Sequence, residues 1–212
     1  MKYATTLVMI PMASIGILIG GASLFAGTDS SVVVSSGSVA FLSPTNVAGI
    51  EVKGSSNALT AYADIEAGSS LTLHRVEASM PVRSLATGMK MRDEHMRKYI
   101  FTTDSGDQPD LRFTSDGTSC PPSGQAKEFA CRLSGSMSIR GVSRPVTLNL
   151  KVREQGSAWR VAGDTVVKLS DFDIPRPVQF GVKPNDEIEI HLDFTGKQAT
   201  HVAVAKAVGH EH

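Results

Sequence analysis

The sequence predicts an all-β protein in which about eight long strands close into an antiparallel barrel, with one short helix at an end. Three observations support this prediction. Apolar residues recur at every second position along most of the chain, as in strands that bury one face. Clusters of Gly, Ser, Asn and Pro separate these runs, as in turns. One charged stretch, residues 87–101, has helical spacing instead.

Residues 1–26 are predicted to be a signal peptide. Lys2 precedes an uncharged, largely apolar run at 5–25, and the small residue Ala26 follows it. This is the order of a secretory leader. The run is also about long enough to span a bilayer, so an uncleaved anchor is the alternative. We therefore expect a periplasmic or secreted protein.

The barrel domain is predicted at residues 38–197, after a linker at 27–37 and before a flexible tail at 198–212. The alternation changes phase between Leu73 and Val76, which predicts a β-bulge. The predicted turns include 54–57, 67–70 and 141–145. The predicted strands are 39–42, 47–53, 59–65, 71–82, 111–113, 129–139, 146–152, 159–169 and 188–194. Strands this long favour a closed barrel, because closure removes exposed sheet edges.

Cys120 and Cys131 are the only cysteines, and a Pro-Pro-Ser-Gly turn lies between them. In an exported chain such a pair is expected to form a disulfide that closes the loop. A redox role is not favoured, because the spacing is far from Cys-x-x-Cys.

The charged stretch predicts a short helix whose first turn Thr87 caps through its hydroxyl. Helical spacing places Met89, Asp93, Met96 and Ile100 on one face, with Arg92, His95 and Tyr99 beside it. Two interpretations follow. In the first, the helix plugs one end of the barrel and Asp93 accepts hydrogen bonds from backbone donors. In the second, Arg92, Asp93 and His95 are polar contacts for the head group of a ligand.

The charge balance excludes a nucleic-acid-binding role. The chain has 21 basic and 21 acidic residues, without the clustered Lys and Arg that phosphate backbones require. An enzyme on the barrel mouth is the first alternative to a binding protein, but Gly-x-Ser-x-Gly and His-Glu-x-x-His are both absent from the sequence. The histidines of the barrel domain, His74, His95 and His191, are isolated. We expect no metal or cofactor, and expect the tail histidines His201, His210 and His212 to be solvated.

Several motifs resemble the YceI-like family. They are Thr87-Gly88 with Arg92-Asp93-Glu94-His95, Tyr99-Ile100-Phe101, the run from Gly135 to Val146, and Ser170-Asp171-Phe172. Asp173 stands where that family usually has glycine. The resemblance covers residues 38–197. It implies an extended lipocalin-like barrel, exported in bacteria, that encloses a polyisoprenoid lipid such as an isoprenoid quinone.

An eight-stranded barrel is just wide enough to pack solid or to hold one small ligand. A packed, ligand-free barrel is therefore the second alternative. If a lipid is bound, the inward-facing apolar residues should line its pocket. These are Phe113, Phe129, Leu133, Met137, Leu148, Leu150, Val161, Ile190 and Leu192.

Overall fold

The structure, a computed structural model, describes residues 28–178 and 181–199. The predicted signal peptide lies outside these residues, as does nearly all of the predicted tail. Within the two described ranges, no helix is both long and apolar enough to cross a membrane.

Ten strands lie in the described part of the chain. They are β1 (Thr28–Pro44), β2 (Glu51–Ser56), β3 (Thr60–Ala67), β4 (Leu71–Met80), β5 (Leu111–Ser115), β6 (Thr118–Cys120), β7 (Glu128–Ile139), β8 (Val142–Gln155), β9 (Ala158–Lys168) and β10 (Glu187–Gln198). Helix α1 (Lys90–Met96) follows β4 and continues into a π-helical turn, Arg97–Phe101. Short 3₁₀ turns occur at Val82–Ser84 and Ser170–Phe172.

The sheet closes because β1 pairs with β10 along one edge and with β2 and β3 along the other. β2 and β3 follow one another along β1, and β5 and β6 follow one another along β4. Each of these two pairs of strands fills one place in the wall, so the ten strands form an eight-stranded antiparallel barrel. The predicted fold class is confirmed.

The first strand is longer than predicted. Residues 28–37 belong to β1, and Val32, for example, has ladder partners on both sides, Ala63 and Gln198. The linker expected at 27–37 is therefore wrong for this part of the chain. Its Ser-rich sequence has little alternation, since Val33 is exposed and the register with β10 shifts between Val34 and Ser36. Pairing with two neighbouring strands makes this segment a strand, and the segment's own pattern does not show that pairing.

Two local predictions are confirmed. The phase change in β4 is a bulge, since Asp64 pairs with Arg75 while Ile65 pairs with Leu73, which leaves His74 extra. β7 alternates between buried and exposed side chains as predicted for 129–139.

Two predicted turns are shorter than expected. β7 and β8 are joined by Arg140 and Gly141, both at positive φ (54° and 79°). Such a pair forms the two-residue turn whose twist matches antiparallel strands, so β8 starts at Val142 and not beyond the predicted turn at 141–145. The predicted turn at 54–57 is likewise mostly strand, since Gly54 pairs with Phe41.

The barrel has two apolar cores, one toward each end. The first core cluster lies beside the disulfide and includes Leu71, Phe113, Leu133 and Trp159. The second core cluster lies under α1 and includes Val39, Val82, Phe101, Val167 and Phe172. Met137, Val146 and Leu192 pack against both clusters and connect them.

The predicted disulfide between Cys120 and Cys131 is present, and both residues are buried. It joins β6 to β7 in a region where their regular ladder is reduced to an isolated bridge between Pro122 and Phe129. The disulfide therefore closes a weak point of the barrel wall with a covalent bond.

Candidate functional site

The interior of the first core cluster contains an apolar cavity of about 90 Å³. Its walls include small residues at inward positions, Ala61 and Ala63 of β3 and Gly196 of β10. Larger side chains complete it: Ile65, Leu71, Leu73, Trp159 and Phe194. Because small residues of β3 and β10, the two neighbours of β1, meet here, the core does not fill completely.

Three of the nine predicted pocket residues line this cavity: Leu133, Leu150 and Val161. Phe113, Phe129 and Leu148 are buried in the same core cluster beside it. Met137 and Leu192 lie between the two core clusters, and Ile190 packs against the second. All nine thus belong to the interior of the barrel, and their contact with a lipid stays a prediction.

The lining from β1 was not predicted, because residues 28–37 were not expected to form a strand. Val32 and Val34 of this segment line the cavity. Tyr62 lines it as well, and its hydroxyl donates a hydrogen bond to Asp64, which also accepts one from Ser31 (2.8 Å). The polar groups at the edge of the cavity are therefore paired with each other.

At the helical end, Asp93 is a hydrogen-bonded carboxylate. Its Oδ1 accepts a hydrogen bond from the backbone N–H of Thr87 (2.7 Å) and another from the Thr87 hydroxyl. Arg92 binds the same residue, donating from Nε to Oγ1 of Thr87 (2.8 Å) and from Nη2 to its carbonyl (2.7 Å). The hydrogen bonds from Thr87 hold the pKa of Asp93 below its usual value. This geometry agrees with the first interpretation of the helix.

The start of the helix differs from the prediction. Helix α1 begins at Lys90 with Met89 at the N-cap, where no side chain caps it. The predicted capping by Thr87 is wrong, because its hydroxyl is engaged with Asp93 and Arg92. Met89 does not share the packed face either, since its backbone is extended and its side chain is 57% exposed.

The remainder of the helical segment packs on the second core cluster. Met96 and Ile100 lie against this cluster and Phe101 is buried in it. His95 makes an edge-to-face contact with the ring of Tyr99, with centroids 5.7 Å apart. A head-group role for Arg92, Asp93 and His95 stays a prediction.

The two other histidines of the barrel domain form surface pairs. His74 lies 3.3 Å from Glu66, and His191 lies 3.7 Å from Glu189. Among the described residues, no cluster of three or more His, Cys, Asp or Glu side chains could hold a metal ion. The histidines of the tail lie outside the described residues.

The barrel wall opens between β8 and β9. Their ladder runs from Gln155–Ala158 to Asn149–Asp164 and ends there. Residues 142–148 and 165–168 continue their strands without pairing to each other, and we call this opening the β8–β9 gap. A groove of about 400 Å³ lies in it, lined by Arg144, Val146, Thr147, Thr165, Val167 and Phe172 among others.

A buried side chain bridges the β8–β9 gap. Thr165 points inward and is buried, and its hydroxyl donates to the carbonyl oxygen of Thr147 across the gap (2.9 Å). A side-chain hydrogen bond thus replaces the missing backbone ladder at this level.

The turn at residues 169–174 covers the inner side of the gap. The N–H groups of Phe172 and Ile174 both donate to the carbonyl oxygen of Leu169 (3.1 and 3.0 Å). This fold-back buries the ring of Phe172, which is 2% exposed. Asp173 ends the turn in the left-handed conformation, with φ 56° and ψ 32°. A glycine adopts this conformation without strain, which fits the glycine that the resemblance implied at this position.

The 169–174 turn is attached to two sides of the barrel by different contacts. Asp186, just before β10, accepts hydrogen bonds from the Ser170 N–H (3.0 Å) and hydroxyl (2.6 Å). These hydrogen bonds hold the pKa of Asp186 below its usual value. On the β8 side, an exposed ion pair links Arg144 to Asp173 (3.4 Å).

The closed eight-stranded antiparallel barrel is an architecture that lipocalins also have. The family model of the YceI-like domain matches residues 31–196. The chain therefore belongs to the YceI-like family, as its motifs suggested.

Solved structures share the fold at low sequence identity. A crystal structure of BcnA from Burkholderia cenocepacia is 18% identical, with TM-score 0.59, covering 77% of this chain and 96% of that one. A polyisoprenoid binding domain from Saccharophagus degradans is 13% identical, with TM-score 0.58, covering 80% and 99%. The YceI protein of Campylobacter jejuni is 17% identical, with TM-score 0.53, covering 73% and 89%. No curated protein sequence matches the chain.

Proposed function

We propose that this protein binds a long-chain isoprenoid lipid, such as an isoprenoid quinone, inside its barrel, and that it sequesters or carries this lipid in the bacterial periplasm. The observation on which the proposal rests is the apolar cavity inside the barrel of a YceI-like protein. The Saccharophagus degradans structure, described as a polyisoprenoid binding domain, supports the class of ligand.

The lining suits a hydrocarbon chain. The cavity walls are apolar side chains, and the polar groups at its edge already have partners. Burying an apolar group the size of a leucine side chain contributes about 1.5–3 kcal/mol. A chain of several isoprene units would therefore bind without strong polar contacts.

A long lipid needs more room than the cavity offers. Binding sites for molecules of moderate size have volumes of about 300–1,000 Å³, whereas this cavity has about 90 Å³. The lipid chain must therefore displace side chains along the barrel axis. Met137 and Leu192 are the best candidates, because both are only partly buried and lie between the two core clusters. Methionine in particular adapts readily to new neighbours, because it is unbranched.

The small cavity also favours a competing interpretation, a packed barrel that functions without a lipid. A hydrolase at the barrel mouth gains no support from His74 and His191, since each is exposed and beside a glutamate. Export fits the Cys120–Cys131 disulfide, because disulfides persist in oxidising compartments.

The test is mass spectrometry of organic extracts from protein purified without detergent from the periplasm. If the protein binds lipid, an isoprenoid should co-purify with it. If the barrel is packed and functions without a lipid, the extract should contain none. Met137→Arg is the comparison variant, because a charge in the apolar interior is costly without a partner. We expect this variant to remain folded, as monitored by circular dichroism, and to lose the lipid. Equal lipid content in both proteins would remove β7 from the proposed pocket.

A further inference from the structure

We propose that the β8–β9 gap is a lateral portal through which the lipid enters and leaves the barrel, with Phe172 as its movable plug. This inference rests on the proposed function, since it concerns how the same interior is filled. The ends of the barrel need not open in this arrangement.

The barrel wall is weak at the β8–β9 gap. In the described chain, the ladder between β8 and β9 stops at Asn149 and Asp164, so separating the strands beyond that point breaks no ladder hydrogen bond. The bond that must break is the one from the Thr165 hydroxyl to the Thr147 carbonyl. β8 stays paired with β7, and β9 stays paired with β10, so the wall on either side of the gap would remain intact.

The groove is also continuous with the interior of the barrel. Val167 and Phe172 line the groove and also belong to the second core cluster inside the barrel. Val146 lines the groove and packs against both clusters. Movement of the Phe172 ring would therefore connect the groove with the middle of the barrel, between the two cores.

Another interruption of the wall is closed differently. Between β6 and β7, where the ladder is also interrupted, the Cys120–Cys131 disulfide prevents separation. The β8–β9 gap is closed by side-chain contacts instead. Covalent closure is thus found at one interruption and reversible closure at the other.

The 169–174 turn is attached more firmly beside β10 than beside β8. Two hydrogen bonds to Asp186 fix Ser170 at the base of the turn beside β10. The β8 side has the exposed pair Arg144–Asp173, at 3.4 Å, and such pairs contribute little to stability. The turn is therefore built to swing away from β8 while it remains attached beside β9 and β10.

The outer mouth of the gap suits an amphiphilic molecule. Val166 is 54% exposed there, although it is a large aliphatic residue. Asn149 and Asp164 face each other in register at the closed end of the gap and supply polar groups. A lipid tail could contact the valine while the polar end stays at the surface.

The experiment loads the purified full-length protein with long-chain ubiquinone and measures its release to phosphatidylcholine vesicles. Phe172→Ala should accelerate release by about tenfold or more, because it removes the plug. The control is Phe101→Ala, which removes a buried aromatic ring from the same core cluster under α1. Both variants should melt at lower temperature, but the control should release ubiquinone at close to the wild-type rate.

A second pair of variants avoids the core, in case Phe172→Ala does not fold. Arg144→Gln removes the ion pair to Asp173, while Arg153→Gln removes an ion pair to Glu128 farther along β8. The two arginine side chains are similarly exposed, at 42% and 43%. Release should become roughly threefold faster with Arg144→Gln, as expected for an exposed pair, and stay unchanged with Arg153→Gln.

The outcomes separate this inference from the proposed function. A wild-type protein that takes up no ubiquinone or other isoprenoid from vesicles would overturn both. Normal uptake, with release equal in the Arg144 and Arg153 variants and no faster for Phe172→Ala than for Phe101→Ala, would overturn the portal alone. Faster release on Phe101→Ala than on Phe172→Ala would place the exit at the helical end.

Discussion

At the scale of single residues, the hydrogen-bonded carboxylate of Asp93 organises the segment before α1. It accepts two hydrogen bonds from Thr87, and Arg92 holds the same threonine from its other side. Three residues that are close in sequence thus fix how the chain enters the helix. Because Met96 and Ile100 pack on the second core cluster, this local motif also positions the cover of that end of the barrel.

Asp93→Ala should lower stability more than Glu94→Ala, whose side chain is exposed on the same helix. The alanine leaves the Thr87 N–H without its acceptor, and losing such a hydrogen bond costs about 1 kcal/mol. Thermal unfolding of the two variants measures the difference. Equal melting temperatures would show that Asp93 does not anchor the helix.

The pH dependence gives a second measurement of the same anchor. The pKa of Asp93 lies below its ordinary value of 3.8, because Thr87 donates hydrogen bonds to the charged form. A lowered pKa means that the stabilisation is present above the unfolded-state value and is lost as pH falls through the folded-state value. The stability advantage of the wild type over Asp93→Asn should therefore shrink below about pH 4. An advantage that stays constant down to about pH 2 would contradict this assignment.

At the scale of elements, the barrel wall depends on what holds neighbouring strands together. Most neighbours are joined by long ladders, such as β7 with β8 from Glu128–Arg153 to Ile139–Val142. Where ladders end, other contacts take over: a disulfide between β6 and β7, and the Thr165 hydrogen bond with the Phe172 plug between β8 and β9. The elements are therefore regular while their junctions differ in strength.

Replacing both cysteines, by Cys120→Ser with Cys131→Ser, should lower the free energy of unfolding by about 2.5–3 kcal/mol, the chain-entropy contribution of a disulfide that closes a loop of this length. The Tm should fall while lipid binding persists, because neither cysteine lines the cavity. Thiol titration of the unreduced wild type should find no free thiol, and two titratable thiols would refute the disulfide in solution.

At the scale of the whole molecule, the internal space arises from residues that the closed barrel brings together. Ala61 and Ala63 on β3 and Gly196 on β10 are far apart in sequence and meet at the cavity. Their small size leaves room that the larger side chains around them do not fill. The space available to a ligand is thus a property of the closed barrel and of no single strand.

Ala63→Leu should fill this cavity. A leucine side chain has three more carbons than alanine and each additional buried methylene contributes about 0.8 kcal/mol, so the lipid-free barrel should become more stable by up to about 2.4 kcal/mol. Lipid content should fall, because the leucine side chain occupies the space that the lipid chain would enter. Ala130→Leu is the matched control, since Ala130 is exposed on the outer face of β7. Unchanged lipid content in Ala63→Leu would place the bound chain elsewhere in the barrel.

Features that depend on local pattern could be predicted from the amino-acid sequence. β7 was predictable because a buried face imposes a period of two, and the bulge in β4 because an extra residue reverses that period. The cysteine pairing followed from there being two cysteines in a chain predicted to be exported. The motifs around α1 and the 169–174 turn were sufficient to indicate the family, because each is a short continuous run of residues.

Features that depend on neighbouring strands became visible in the folded barrel. Residues 28–37 form a strand because β3 and β10 pair with them. The β8–β9 gap arises where two individually regular strands separate, and neither sequence marks that point. The cavity size depends on which small residues the two strands beside β1 bring together. Alternation reports which face of a strand is buried, but pairing and packing are contacts between distant segments, so a single strand's sequence cannot specify them.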